Sequence, residues 1–322
     1  MADKNYEIVV NERASAILYD YFLFNAKKKM LFPANICPIV ILAALKAGIE
    51  FDFVDISLDT YCMDLNGIEV RSLNDNVVIF FVFSYGLGEE QILLLEKLHR
   101  EYKVKIVLDK CLCFPQFEAF PDFAELILFS TYQSKPVTLK YGGFAFVQSN
   151  YAKEFNIQKL PYSKEAANKV DEYLKVTSLN LSDLKELSRT NWLPYHHGIP
   201  ALEHLNNYKF KVLEKMKSVY ERKKENHLCY KENISRKGVE IKNNFDWRTI
   251  VIFESKLERD SVLANIFDEG YFASHHYKDI SYIKKIYSKN ARTIESTVLN
   301  LFNDDIISNE DIKVISKIIN ES

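Results

Sequence analysis

Residues 129–143 read FSTYQSKPVTLKYGG. The stretch follows one apolar segment and precedes another, so Ser130 lies at the end of a predicted strand and Lys135 lies in the loop after it. Apolar strands on both sides favour removal of the Lys135 ammonium from water, and desolvation lowers the pKa of a lysine. A neutral amine is what Schiff-base chemistry requires. Lys135 is therefore the strongest candidate for a catalytic amine.

Working outward from this stretch, predicted strands alternate with predicted helices. The apolar run 77–83 is typical of a strand buried on both faces, a helix is predicted over 89–101, and the next strand over 104–108. The alternation predicts an α/β fold with a largely parallel sheet covered by helices on both faces. Ligands bind beyond the carboxyl ends of such strands. Asp109 and Ser130 follow two of them, so we expect both at a ligand site.

Asp109 admits two interpretations from the pattern alone. A carboxylate at the end of a buried strand needs a cationic or hydrogen-bonding partner. A cofactor cation could be that partner, but a helix cap or a buried ion pair with Lys110 or Arg100 fits the pattern equally well.

The remainder of the chain is predicted to be helical and then mixed. Long helices are predicted over 164–175 and 199–230. They precede an α+β unit with a strand over 249–253, a helix over 258–269, a strand over 296–301 and a last helix from Ser308, where Ser308 and Asp311 have capping-box spacing. A boundary near 210–240 predicts two domains, 1–215 (large, α/β) and 216–322 (small, C-terminal, α+β).

Composition excludes several function classes. The 42 basic and 44 acidic residues among 322 leave a charge of −2, which does not favour nucleic-acid binding. No apolar run approaches the ~20 residues that span a bilayer, and residues 1–4 lack the apolar core of a signal peptide. Five cysteines without disulfide-framework spacing favour reduced thiols, so we expect a cytoplasmic protein that contacts no membrane. Dinucleotide, phosphate-loop and HExxH motifs are absent, and we expect no metal site.

Several segments together resemble a known family. LFPANICP (31–38), AALKAG (43–48) and FVDI (53–56) are similar to the opening of DegT/DnrJ/StrS-type nucleotide-sugar aminotransferases. The likeness continues in the same order through FSYG (83–86), VLD (107–109), 130–143, RKKEN (222–226) and VLNL (298–301). The family consists of pyridoxal-phosphate (PLP) enzymes. The resemblance implies the aspartate-aminotransferase-like fold (PLP fold type I), with a mostly parallel mixed sheet in the large domain.

The resemblance also implies roles for individual residues. Lys135 would form the internal aldimine and shuttle a proton between cofactor and substrate, and Asp109 would pair with the pyridine nitrogen. Ser130 would hold the cofactor phosphate together with the N-terminus of the first helix. The residues implied at that helix terminus are Arg13, Ala14 and Ser15, and Cys37 is implied at the position that stacks on the cofactor ring. The resemblance implies substrate contacts more weakly, at Tyr132, His276 and Tyr277.

The function implied is transfer of an amino group, with L-glutamate as the expected donor, to a nucleotide-linked keto-sugar in surface-polysaccharide or deoxyaminosugar biosynthesis. A homodimer with a shared active site is implied as well. Either Asn191-Trp192-Leu193 or Tyr195-His196-His197 would reach across its interface.

Two alternatives to this function stay open. One is a degenerate family member that binds PLP or a sugar nucleotide without transamination. It is suggested by Glu12-Arg13, which stands where the family has a glycine in its phosphate turn, and by Leu112, which stands at a usual cofactor contact. The other is a PLP-dependent sugar dehydratase.

Overall fold

The computed structural model describes residues 6–118, 121–152, 160–175, 178–194 and 202–322. The first half of the chain builds a seven-stranded sheet with strand order β1-β7-β6-β5-β4-β2-β3. Its strands are β1 (Tyr6–Asn11), β2 (Lys29–Pro33), β3 (Glu50–Val54), β4 (Val77–Val82), β5 (Lys105–Asp109), β6 (Leu126–Ser130) and β7 (Gly143–Gln148). The helices that accompany it are α1 (Ala14–Phe24), α2 (Pro38–Lys46), α3 (Ile92–Tyr102), α4 (Ser149–Ala152), α5 (Lys164–Tyr173) and α6 (Leu181–Ser188).

The large sheet is mixed but mostly parallel. Strands β3, β2, β4, β5 and β6 run parallel to one another, and β7 pairs antiparallel with both β6 and β1. Apolar side chains cover both faces: Phe80 packs in the cluster that includes α1 and α2, and its neighbour Phe81 packs in the cluster that includes α3. Burial on both faces explains the continuous apolar run in β4. The predicted α/β fold with a mostly parallel sheet is confirmed.

The antiparallel turn from β6 to β7 returns the chain to the carboxyl edge of the sheet. Gly143 pairs with Ser130 on one side and with Asn11 on the other. The loop with Lys135 therefore lies beside the end of β5, where Asp109 ends its strand.

The C-terminal part forms a four-stranded antiparallel sheet of order β10-β11-β9-β8 with its own apolar core. Its elements, and the long helix that precedes them, are α7 (Leu202–Asn233), β8 (Glu240–Ile241), β9 (Thr249–Ile252), α8 (Lys256–Asp268), β10 (Ala273–Ser274), α9 (Lys289–Thr297), β11 (Val298–Leu301) and α10 (Asn309–Glu321). The boundary predicted between 1–215 and 216–322 falls inside α7, and the division into two domains remains a proposal.

Local hydrogen bonds set several element ends. The capping box at Ser308 and Asp311 is present at the start of α10. The strand predicted over 296–301 begins only at Val298, because the Ser296 and Thr297 hydroxyls both donate to the Thr293 carbonyl and close the last turn of α9. A side-chain hydroxyl bond to a carbonyl one turn back competes with the extended backbone of a strand.

Candidate active site

A cavity of about 130 Å³ lies at the carboxyl edge of the large sheet, between the N-termini of α1 and α2. The sequence-predicted residues that line it are Arg13, Ala14, Ser15, Cys37, Asp109, Ser130, Tyr132 and Lys135. The structure thus brings together residues that are up to 122 positions apart in the sequence.

Asp109 forms one wall of this cavity and is only 6% exposed. Its Oδ1 accepts the Cys111 backbone N–H at 2.9 Å. Burial raises the pKa of this carboxyl group, while hydrogen bonds from Cys111 and the charge of Lys135 oppose the rise. The ion pair considered for Asp109 does not form, because Lys110 binds Glu89 at 2.5 Å and Arg100 binds Glu96 at 3.8 Å. A buried carboxylate that faces a cavity is stabilised by a cation bound there.

Lys135 lines the same cavity and is half-buried. Asp109, Cys37 and Cys111 line this cavity as well, and the charge of Lys135 lowers the pKa of each of these three groups against the effect of burial. Within the described part of the chain, the Lys135 ammonium has no carboxylate within ion-pair distance. Its amine is therefore available to a ligand in the cavity.

Hydrogen bonds to its backbone carbonyls hold the loop around Lys135 in place. The Trp247 indole N–H donates to the Ser134 carbonyl at 2.7 Å, and the Thr138 hydroxyl donates to the Lys135 carbonyl at 3.0 Å. Ser134 has a φ of 58°, a left-handed conformation that few non-glycine residues adopt. These contacts fix the path of the loop and therefore the backbone position from which the Lys135 side chain extends.

The opposite end of the cavity carries hydrogen-bond donors. The amides of Ala14 and Ser15 belong to the first turn of α1, where no intrahelical acceptor is available. Ser130 is 6% exposed and its hydroxyl lines the cavity. Gly143 packs directly against this turn, since a Cβ built there would lie 2.4 Å from the Ala14 nitrogen. Helix N-termini with unpaired amides bind phosphate groups.

Arg13 and Tyr132 form a pair at the cavity wall. The Arg13 Nη2 donates to the Tyr132 hydroxyl at 3.0 Å, and its guanidinium carbon lies 4.5 Å from the Tyr132 ring centroid. The pair adds a positive charge near the α1 N-terminus and orients the tyrosine ring.

The two unusual positions in the sequence lie outside this cavity. Glu12 has an exposed side chain and is not part of the cavity lining, and its carbonyl accepts the Gly142 N–H at 2.8 Å. Leu112 is 4% exposed and packs with Tyr85 and Trp247 in an apolar cluster. Neither position therefore adds a side chain to the cavity lining.

Cys37 precedes the first turn of α2 and lines the wall at the predicted ring-stacking position. Cys111 lines the same cavity, although no sequence pattern had indicated it as a site residue. Burial raises the pKa of both thiols, so they are neutral at neutral pH.

His276 and Tyr277 line an adjoining cavity of about 420 Å³ that also reaches Cys37. The Tyr85 hydroxyl donates to the His276 carbonyl at 2.7 Å. Burial lowers the pKa of His276 to about 4, so its imidazole is neutral. The Tyr277 pKa lies well above its usual range because of burial and of the nearby groups Cys37 and Asp109. Cys37 lines both cavities, and Tyr277 lies in the wall of the larger one.

The two candidates for a segment that crosses a dimer interface have different outcomes. Trp192 and Leu193 are each 1% exposed and pack in the core of this same chain. The residues Tyr195, His196 and His197 lie outside the described part of the chain.

Among the described residues, no group of three or more His, Cys, Asp and Glu side chains is arranged to hold a metal ion. In the same part of the chain, no helix combines the length and apolar character needed to cross a membrane.

Comparisons with known proteins gave matches in structure only. No family model and no curated protein sequence matches the chain. DesI, solved in the presence of its TDP-sugar product, superposes with a TM-score of 0.70 at 16% identity, covering 98% of this chain and 80% of that one. PseC of Helicobacter pylori, an aminotransferase involved in the biosynthesis of pseudoaminic acid, gives 0.71 at 14% identity, covering 97% and 85%.

A third solved structure is an Escherichia coli dehydratase. It is GDP-4-keto-6-deoxy-D-mannose-3-dehydratase with bound hydrated PLP, and it superposes with a TM-score of 0.70 at 16% identity, covering 98% of this chain and 88% of that one. Coverage of nearly the whole chain shows that the likeness extends over both sheets. The chain therefore has the aspartate-aminotransferase-like fold of the PLP-dependent enzymes, fold type I, as the sequence predicted.

Proposed function

We propose that the chain is a PLP-dependent aminotransferase that moves an amino group from L-glutamate to a nucleotide-linked keto-sugar. The observation that carries the proposal is a single cavity lined by Lys135, Asp109, Ser130 and the first turn of α1. The fold is consistent with this activity. Solved structures of the same fold include an aminotransferase involved in the biosynthesis of pseudoaminic acid, a protein in the presence of its TDP-sugar product and a dehydratase with bound hydrated PLP.

The residues of the cavity fit the chemistry of PLP. Its phosphate needs hydrogen-bond donors, which Ser130 and the Ala14 and Ser15 amides provide. Its pyridine nitrogen is a cation when protonated, and none of the cationic side chains in the described ranges lies within ion-pair distance of the buried Asp109. Its aldehyde needs an amine, which Lys135 provides. We propose these residues, with Cys37 against the ring, as the cofactor site.

The residues of the chain would act as follows. When bound, PLP supplies an electron sink for the carbon that loses a proton. The Asp109 carboxylate holds a proton on the pyridine nitrogen and keeps the ring cationic. The Lys135 Nζ moves a proton between the substrate carbon and the cofactor carbon. The α1 amides and Ser130 fix the phosphate, so that the ring stays in register with both side chains.

Further parts of the proposal concern substrate and assembly. Tyr132, at the cavity wall, and His276 with Tyr277, in the adjoining cavity, are proposed to contact the sugar. A homodimer with a shared active site and a role in surface-polysaccharide or deoxyaminosugar biosynthesis are proposed as well. All five cysteines are unpaired, which is consistent with the reducing cytoplasm as the place of action.

The half-reaction with glutamate tests this function. PLP-loaded protein is mixed with L-glutamate, and 2-oxoglutarate and the pyridoxamine form of the cofactor are quantified. We expect one equivalent of each per site, and none from Lys135→Ala. Lys97→Ala is the matched control, because Lys97 is 59% exposed on α3, and it should behave as the unchanged protein.

Two other results would contradict the proposal. PLP binding without conversion by glutamate would support the alternative in which the chain binds the cofactor but does not transfer an amino group. Loss of water from a GDP-linked or TDP-linked keto-deoxysugar, without amino transfer to it, would support the dehydratase alternative. The E. coli structure of the same fold makes that second assay worth running.

A further inference from the structure

A separate cavity of about 550 Å³ also reaches Lys135. It is larger than the cavity between α1 and α2, and its walls come from four distant parts of the chain. They are the loop 133–140, the middle of α7, the residues that lead into β9 and the segment 302–306. We name it the basic cavity for the charges described below.

Basic side chains outnumber acidic ones in the lining of the basic cavity. The five basic residues are Lys135, Lys140, Lys215, Lys223 and Arg248, and the two acidic residues are Asp304 and Asp305. The surplus of positive charge contrasts with the whole chain, which carries a formal charge of −2. A concave surface lined by one sign of charge concentrates ligands of the opposite sign.

Arg248 is the residue that points most clearly to an anionic ligand. It is 6% exposed, its Nη1 donates to the Ser274 hydroxyl, and its guanidinium carbon lies 3.9 Å from the Phe302 ring centroid and 4.6 Å from that of Trp247. Burial lowers its pKa to about 10. Among the described residues, no carboxylate lies within 4.0 Å of its nitrogens. A buried guanidinium without an anion is costly, and its planar donor set matches phosphate or carboxylate oxygens.

Lys223 gives the basic cavity a second buried cation. It is 2% exposed, and its amine donates to the Trp247 carbonyl and to the Asn303 Oδ1, each at 2.8 Å. Burial lowers its pKa to about 8, so most molecules still carry the charge at neutral pH. These two bonds hold the amine in place and leave one N–H of the ammonium for a ligand.

The two acidic residues do not neutralise this pair. Asp305 is 65% exposed and lies 3.5 Å from the Lys215 amine. The Asp304 Oδ1 accepts the Ile306 N–H at 3.4 Å, and the charge of Asp304 favours the ionised forms of Arg248 and Lys223 without an ion pair to either. The surplus of positive charge therefore remains in the basic cavity.

We propose that the basic cavity binds the diphosphate of a nucleotide-linked substrate, with Arg248 and Lys223 as its buried anchors and Lys140 and Lys215 at its rim. Several cations suit a group with two or more negative charges better than a single carboxylate. Because Lys135 lines both cavities, a sugar attached to this diphosphate would extend toward the reactive amine. The inference rests on the proposed function for the identity of the substrate, and it assigns the part of the substrate that this cavity recognises.

Calorimetric titration of the PLP-loaded full chain tests the inference without catalysis. The probes are UDP, TDP and GDP, with uridine, thymidine and guanosine as phosphate-free controls and glutarate as a dicarboxylate control. We expect at least one diphosphate to bind about tenfold or more tightly than its nucleoside and than glutarate, as expected for charged hydrogen bonds. Arg248→Gln should weaken that binding by about tenfold or more.

A second variant guards against misfolding of the Arg248 variant, because Arg248 is buried. Lys140 is exposed and Lys215 is 36% exposed, so Lys140→Gln/Lys215→Gln should fold normally and weaken diphosphate binding by about three- to tenfold. Lys217→Gln is the matched control, since Lys217 is exposed on α7 and does not line the basic cavity. It should leave binding unchanged.

Four results would overturn the inference. They are no binding of any diphosphate, equal binding of diphosphate and nucleoside, tighter binding of glutarate, or equal binding by the folded Lys140/Lys215 variant and the Lys217 control. The assay separates this inference from the proposed function. Diphosphate binding in a protein that fails the glutamate half-reaction would refute only the function, and amino transfer in a protein that binds no diphosphate would refute only the inference.

Discussion

Replacement of Gly143 by alanine tests the placement of the α1 N-terminus. A Cβ at position 143 would lie 2.4 Å from the Ala14 nitrogen and 2.6 Å from the Ala14 Cα. Both are backbone atoms in the first turn of α1, so no side-chain rotation relieves the contact. Gly143 is itself fixed between Ser130 and Asn11 in the sheet. The start of α1 must therefore move away from Ser130 in the variant.

The expected cost has two parts. Overpacking of a filled site costs about 1–3 kcal/mol, so the free energy of unfolding in urea should fall by that amount. Separation of the α1 amides from Ser130 should also break hydrogen bonds to the cofactor phosphate, and about 1.5–3 kcal/mol for a bond to a charged group corresponds to roughly tenfold or greater loss of PLP affinity. Spectrophotometric titration with PLP measures that loss.

Gly67→Ala is the matched control. A Cβ at Gly67 would meet only the side chain of Asp64, 2.9 Å from its Oδ2, and that side chain can rotate. Gly67 is also no part of the cavity lining. We expect unchanged PLP affinity and a stability loss below about 1 kcal/mol. Equal PLP affinity in Gly143→Ala and the unchanged protein would refute the assignment of the phosphate to the α1 N-terminus.

Three further substitutions have defined outcomes. Asp109→Asn should weaken PLP binding about tenfold or more. The same substitution should stabilise the cofactor-free protein at neutral pH, because burial raises the pKa of Asp109 and penalises its charge. Calorimetric melting with and without PLP measures both effects. Burial raises the pKa of Asp246 from 3.8 to about 6, so stability should fall by up to about 3 kcal/mol as pH rises from about 4 to 6. Asp246→Asn should flatten that slope in urea unfolding at several pH values, and an unchanged slope would contradict the assignment. Glu125→Ala should cost about 3–5 kcal/mol in the same assay, because it removes the ion-pair partner of Lys105, at 2.7 Å, and the acceptor of the buried Tyr21 hydroxyl. A loss below about 1 kcal/mol would contradict it.

The sequence predicted the elements whose residues are buried on both faces. Strands β4 and β5 are continuous apolar runs that lie within one residue of the predicted ranges 77–83 and 104–108. Strand β6 is apolar as well and ends at Ser130, where a strand end was predicted. The rule that polar residues follow the carboxyl ends of parallel strands then predicted that Asp109 and Ser130 share a site, and they line one cavity.

Other elements gave no comparable signal. The edge strand β1 mixes polar and apolar residues and is defined by its pairing with β7, which is far away in the sequence. Strand β2 is short and ends at Pro33, and no strand was predicted there. The apolar positions Ile17, Leu18, Tyr21 and Phe22 predict a first helix over 13–27. It ends at Phe24, because the Asn25 side chain donates to the Tyr21 carbonyl and closes its last turn.

The basic cavity shows why part of the site could not be predicted. Its buried cations, Lys223 and Arg248, lie on α7 and just before β9, and they meet Lys135 only in the folded chain. Lys223 belongs to a charge run that is typical of a solvated helix face, yet it is 2% exposed. The one sequence signal of the basic cavity is a basic residue directly before a buried strand, and that residue is Arg248.

Identification of the lysine that bonds to PLP is the most direct test of the proposed cofactor site. The purified chain is loaded with PLP, reduced with borohydride, digested with a protease and analysed by peptide mass spectrometry. We expect one pyridoxyl group per chain, on Lys135. A Lys135→Ala protein should show neither this label nor the visible absorbance of the bound cofactor. Labelling of a different lysine, or a colourless protein that takes up no PLP, would contradict it.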